Sequence, residues 1–233
     1  MKIQRNPFFI RFALLTIAAL VFLASPAQAG PPLICHSIDI GSAQSLPWIS
    51  HDWNLSGSES YDTAKLAADT IAILNGSKTV LVHMETLRRA TLYARNDPRA
   101  AKELLTKLVI RADNADSSGH TDALARFDAG YLAEAYGEWL GKDRNPAAGL
   151  DGFAWVKQAM SVRGNDPQME FAAALITMHG PAAEHRAHVQ KALAGASTDA
   201  LLAQNLKSHF IGPNSETMAE MFNHDALSAK AQQ

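Results

Sequence analysis

The chain has 233 residues, 21 basic and 23 acidic side chains, a formal charge of −2 and one cysteine. So balanced a charge offers no phosphate-neutralising face, which excludes nucleic acid as a partner. One thiol closes no intrachain disulfide and is too few for the C-x-x-C-H attachment of haem.

Residues 1–29 read as a secretory signal. Lys2, Arg5 and Arg11 form a basic start, and Phe12 to Ala24 is a 13-residue apolar run. That length suits a signal core and is short for a bilayer span. Ser25 and Pro26 break the run, and Ala27-Gln28-Ala29 places small residues at −3 and −1, so cleavage is expected before Gly30. The 204 residues that follow carry a charge of −5, since the leader holds three basic residues and no acid. No later apolar run reaches the ~18 residues of a membrane helix. The expected location is therefore the periplasm or outside the cell, with no membrane contact once the signal is cut.

Residues 30–59 show little periodicity and are punctuated by Pro31, Pro32, Gly41, Pro47 and Gly57. They predict an extended strap held against the rest by Trp48, Trp53 and isoleucines. Residues 60–226 are helical in pattern. Over Ser58 to Gly76, Tyr61, Ala64, Ala68, Ile71 and Ala72 recur at 3–4 spacing. Val80, Met84, Leu87, Thr91 and Ala94 make the next stripe, with Glu85 and Arg89 spaced for a solvent-face ion pair. Asp97 is an N-cap and Pro98 suits the first helical position, followed by a buried face of Ala101, Leu104, Leu105, Leu108 and Ala112. The Asn-Asp-Pro start recurs 69 residues later at Asp166-Pro167, ahead of Phe171, Ala174, Leu175 and Met178, which suggests a repeated helix-turn-helix unit.

Between these starts lies the longest expected helix, Thr121 to Gly141. Leu124, Phe127, Tyr131, Ala135 and Trp139 line one face. Ala125, Ala129, Ala133, Gly137 and Gly141 form a ridge of small residues four apart, which lets another helix approach closely. Gly141 to Gly152 is a loop. Helical stretches follow at Phe153 to Val162, after Pro181 at N1, at Thr198 to Phe210, and over Ser215 to Leu227; residues 227–233 fray. No run alternates with period 2, so no sheet is expected. The predicted fold is all-α: eight or nine helices on short connections, stacked as antiparallel helical hairpins in an α-solenoid or an irregular bundle.

Aromatic and small residues in one helix, an alanine-rich partner and Asp-Pro at a repeat junction resemble the tetratricopeptide-like class, with Gly141–Gly152 as an insertion. PLICHSIDIGSAQSLPW, METLRRATLYA and DPQMEFAAALITMHG together resemble a family of exported bacterial proteins. These likenesses imply helicity and export and carry no catalytic residue across.

Chemistry is concentrated at Cys35-His36. A lipid anchor would need the cysteine first in the mature chain, whereas Pro32 and Ile34 precede it. Cys35, His36 and His51 are the candidate metal ligands, of types suited to copper or zinc. The thiol could instead be a nucleophile with His36 or His51 as base, a redox or intermolecular thiol, or a small hydrophobe packed between Ile34 and Ile38. His185 and His188 lie on one helix face with His179 nearby, as a zinc pair would, but without H-E-x-x-H they read as a solvated face in which Glu184 pairs with His188. Glu134 and Glu138, with Asp128, read likewise as an exposed face. His51-Asp52-Trp53 reads as a loop whose aromatics pin the strap. G-x-S-x-G, S-x-x-K, a P-loop and G-x-G-x-x-G are absent. The expected function is therefore an exported, non-enzymatic helical-repeat module without cofactor that binds another protein or peptide. The alternative is a metal- or thiol-dependent protein, including a cell-envelope enzyme, built on Cys35 and His36.

Overall fold

The computed structural model describes residues 30–49, 55–117, 122–164 and 166–210. The signal segment, His51-Asp52-Trp53 and the expected last helix lie outside them. Among the described residues there are eight α-helices, one 3₁₀ turn at Thr63–Lys65, and no strand. The helices are α1 Leu66–Gly76, α2 Val80–Ala94, α3 Pro98–Ser117, α4 Ala123–Trp139, α5 Gly152–Arg163, α6 Pro167–Ile176, α7 Ala182–Gly195 and α8 Ala200–Phe210.

Four of the helix starts follow from aspartates. Asp97 Oδ1 accepts from the N–H groups of Arg99 and Ala100, Asp122 from Leu124 and Ala125, Asp151 from Ala154, and Asp166 from Gln168 and Met169. Each satisfies donors that the first turn leaves without intrahelical acceptors. Pro181 is the N-cap of α7 rather than its first residue. The longest helix is α3, with 20 residues against 17 for α4.

α2 is the centre of the molecule. It packs on α1, α3, α4 and α6, while α4 pairs with α5 and α6 with α7. Its expected stripe, Thr91 included, is buried, but so are His83, Glu85, Thr86 and Arg88 on its other faces. Only Arg89 and Tyr93 reach solvent, and then in part, so the Glu85–Arg89 pair (2.6 Å) joins a buried carboxylate to a guanidinium at the edge of the core.

Two expected faces differ. In α1 the buried residues are Leu66, Ala67, Thr70 and Leu74, whereas Ala64, Ala68 and Ala72 are exposed. On α4 the small-residue ridge is buried only through Ala133, and Gly137 and Gly141 face open space. The close approach occurs one residue off that ridge. A Cβ built on Gly130 would lie 2.6 Å from the Gly152 carbonyl oxygen, and one built on Gly152 2.5 Å from that of Gly130. Only glycine lets the two backbones meet there, and this contact sets the start of α5 against the middle of α4.

Candidate functional site

The strap crosses the helical body as an extended segment anchored by aliphatic side chains. Leu33, Ile34, Ile38, Ile40 and Leu46 are all buried. At its start the N–H groups of Ile34 and Cys35 donate to the Pro31 carbonyl at 3.0 and 2.9 Å. Apart from that turn and a second, in which Ala43 N–H donates to the Ile40 carbonyl (3.2 Å), its main chain meets side chains of the body instead of a ladder. Leu33 N–H donates to Glu138 Oε2 (3.0 Å) and Ile38 N–H to Glu85 Oε2 (2.9 Å). Arg88 donates to the Ile34 carbonyl (3.0 Å) and Arg89 to the Leu46 carbonyl (2.6 Å). Asn205 of α8 addresses both groups of one residue, accepting from Asp39 N–H (2.7 Å) and donating to its carbonyl (2.8 Å). The Tyr93 hydroxyl donates to the Pro47 carbonyl. Trp48 closes the far end, with the guanidinium groups of Arg88 and Arg89 5.3 and 5.7 Å from its ring centre.

Glu85 organises this grip. It is fully buried and holds Arg88 through Nε (2.7 Å) and Nη2 (3.0 Å) and Arg89 through Nε (2.6 Å), besides the strap amide. Bidentate and doubly paired, it has the compensation that a buried carboxylate requires. Glu138 has no such compensation among the described residues. Burial, and secondarily the Glu134 charge one turn away, push its carboxyl up to about 7, although the Leu33 N–H opposes the shift. The Tyr131 hydroxyl, fully buried two turns earlier on the same helix, has no hydrogen-bond partner among the described residues. Neither Glu134 nor Glu138 is on an exposed face: Glu134 Oε1 accepts from Phe153 N–H (2.8 Å), tying α4 to α5.

Cys35 is half-buried, and burial together with Glu138 raises its thiol pKa against the pull of Arg88. That environment keeps the proton on sulfur and works against a nucleophilic thiolate. Burial, with the Arg88 charge, lowers His36. Its ring lies 5.5 Å from that of His209, which burial first of all lowers to about 4. His51, the third proposed metal ligand, lies outside the described residues. Among those described, no group of three or more His, Cys, Asp or Glu side chains is placed to hold a metal ion.

His185 and His188 point inward, whereas His179 is exposed. His188 is buried with its Nδ1 2.6 Å from Glu170 Oε2, in place of the expected surface pair with Glu184, and Lys191 joins the same carboxylate at 3.1 Å. His185 Nδ1 meets the Ala174 carbonyl at 2.9 Å. The pair thus seams α7 to α6. Asp128, also expected at the surface, is fully buried, accepting from Arg111 (2.7 Å) and lying 2.6 Å from His83 Nδ1. An open cleft of about 700 Å³ lies at the ends of α2, α6 and α8, lined by Lys78, Arg163, Asp166, Gln168 and Asp199 among others. Arg163 is paired with Asp166 (2.7 Å), and Asp199 accepts from the Gln168 amide (2.6 Å).

Of the residues that hold the strap, sequence reasoning had singled out Trp48 as an anchor, Glu85 and Arg89 only as a surface pair, and Glu138 only as a surface carboxylate. One signal for α2 was present: charged residues in Val80–Ala94 fall between apolar residues on every side, as in a helix buried all round. Nothing marked Asn205, whose partner is 166 residues away. Compared with protein-family models, curated proteins and solved structures, the chain matches none.

Proposed function

We propose that the protein is an exported, non-enzymatic helical-repeat scaffold of the tetratricopeptide-like kind, whose body grips an extended segment of another protein. The observation that carries this reading is the way the body holds its own strap. Glu85, Arg88, Arg89, Tyr93, Glu138 and Asn205 address main-chain groups, and the strap's aliphatic side chains are buried beneath them. Main-chain contacts give affinity for any extended chain, and side-chain pockets select its apolar spacing. The strap occupies the groove in cis, and a partner segment of like spacing replaces it. Export is supported by the basic, apolar and Ala-x-Ala succession of residues 1–29.

The cis segment competes at an effective concentration on the order of mM. A fluorescent peptide of residues 31–48 should therefore bind the wild-type chain only weakly. It should bind at least tenfold more tightly to Ile38→Asp, whose own strap carries a charge into the groove. Adding Asn205→Ala to that variant should reduce binding again. Equal, weak binding to all three would sink the proposal.

A further inference from the structure

The amino-terminal end of the strap and its middle are held by carboxylates of opposite character. The Ile38 amide rests on Glu85, which carries two arginines, and the Leu33 amide rests on Glu138, which carries none among the described residues. Leu33 and Ile34 are buried. An ionised Glu138 under the docked strap is thus a half-buried charge with no counter-ion among the described residues, which is unfavourable. The groups around it do not supply one. On the strap, Cys35 holds its proton, and His36 is held towards its neutral form. On α4, Tyr131 makes no hydrogen bond among the described residues and Glu134 is a like charge. On α2, Arg88 is engaged by both oxygens of Glu85 and by the Ile34 carbonyl. On α8, His209 is held neutral by burial.

We propose that Glu138 makes the amino-terminal end of the strap a proton-operated latch, docked when its carboxyl carries the proton and loosened when it is ionised. Undocking returns the carboxylate to water. The Leu33 hydrogen bond opposes this, since an amide donor favours the charged acceptor, but it is one neutral donor against the desolvation of a full charge. The sign follows from linkage. The docked state holds the proton more tightly, so rising pH favours the undocked state across the window between the ordinary glutamate value and about 7, and beyond 7 the docked state no longer resists ionisation. The latch concerns the strap's own docking and stands whether or not a partner uses the groove.

The test is residue-resolved amide hydrogen exchange on the full chain between pH 5 and pH 8, corrected for intrinsic exchange, with Ile38 as internal reference. Leu33 protection should fall at least tenfold across this range while Ile38 protection holds, since a tenfold change accompanies each pH unit over which the proton is released. Glu138→Gln keeps an acceptor for the amide and removes the charge; its Leu33 protection should be high and independent of pH. Glu134→Gln, which retains an acceptor for Phe153, should move the wild-type midpoint to lower pH and serves if the first variant does not fold. Protection of Leu33 that ignores pH in the wild type overturns the latch. So do a pH profile unchanged in both variants and a loss shared equally by Leu33 and Ile38.

Discussion

His83 shows what a single buried side chain reports about its own charge. Its Nδ1 lies 2.6 Å from Asp128 Oδ1 and its Nε2 3.1 Å from the Ser77 carbonyl oxygen. Both partners only accept, so both ring nitrogens donate and the ring is an imidazolium. Burial alone would push it towards neutrality, but the Asp128 charge and these hydrogen bonds outweigh that and raise its pKa above 6.5. A raised histidine stabilises fully below its unfolded value, and that contribution is lost as pH rises through the folded one. Asp128→Asn should therefore cost about 3 kcal/mol at pH 6, as when one member of a buried pair is removed. It should cost less once the pH has risen through the folded-state value of His83, where the wild type has itself lost the imidazolium; urea titrations at pH 6 and over a rising pH series read the difference. None of this was legible locally. The reading of Asp128, Glu134 and Glu138 as one exposed face rested on polarity, yet each carboxylate has an interior partner contributed by another part of the chain. Polarity reports a need for partners, and only the fold says whether they are water.

At the scale of elements much more was legible, because helix starts are written in adjacent residues. Asp97-Pro98 and Asp166-Pro167 begin α3 and α6 as their sequence predicts, since an aspartate acceptor and a residue lacking an N–H both suit the first turn. Faces were legible where large and small residues alternate, as in α3. They were not in α1, where Ala64, Ala68 and Ala72 have the same spacing as the buried set and alanine is too small to declare a side. The glycine ridge shows the same weakness. Its spacing suggested close packing at Gly137 and Gly141, but the backbones cross at Gly130 and Gly152. Gly152→Ala should thus cost about 1–3 kcal/mol through overpacking, because a Cβ there meets a carbonyl oxygen at 2.5 Å that cannot move aside cheaply. Gly137→Ala meets nothing within 4 Å and should stabilise by up to about 1 kcal/mol from helix propensity. Chemical denaturation of the two variants separates the positions, and equal effects would place the crossing elsewhere.

The molecule as a whole is an all-α body with a strap that is neither wholly core nor wholly appendage. Its buried aliphatic side chains contribute about 1.5–3 kcal/mol each when fully enclosed, a share comparable with the marginal stability of a domain. Yet its main chain is bound by side chains, with no ladder making it continuous with the helices. Such a segment opens with a free energy below that of global unfolding, and at its amino-terminal end the Glu138 charge sets how far below. Raising a carboxyl from 4.5 to about 7 corresponds to at most about 3 kcal/mol of preference for the protonated, docked state. Trp48 is a built-in reporter: it lies on the strap against Arg88, Arg89 and Tyr93, while Trp139 and Trp155 belong to α4 and α5. The fluorescence difference between wild type and Trp48→Phe isolates its signal. In urea that signal should change before the far-UV circular dichroism of the helices at pH 5 and pH 8 alike, because Glu138 loosens only the amino-terminal end of the strap and Trp48 is held at the other by Arg88, Arg89 and Tyr93. The order matters because the two pictures of the strap diverge here. If it is an integral layer of the core, Trp48 and the helices unfold together at both pH values. If it is a segment held by chemistry that an extended chain from elsewhere could match, it leaves first at both.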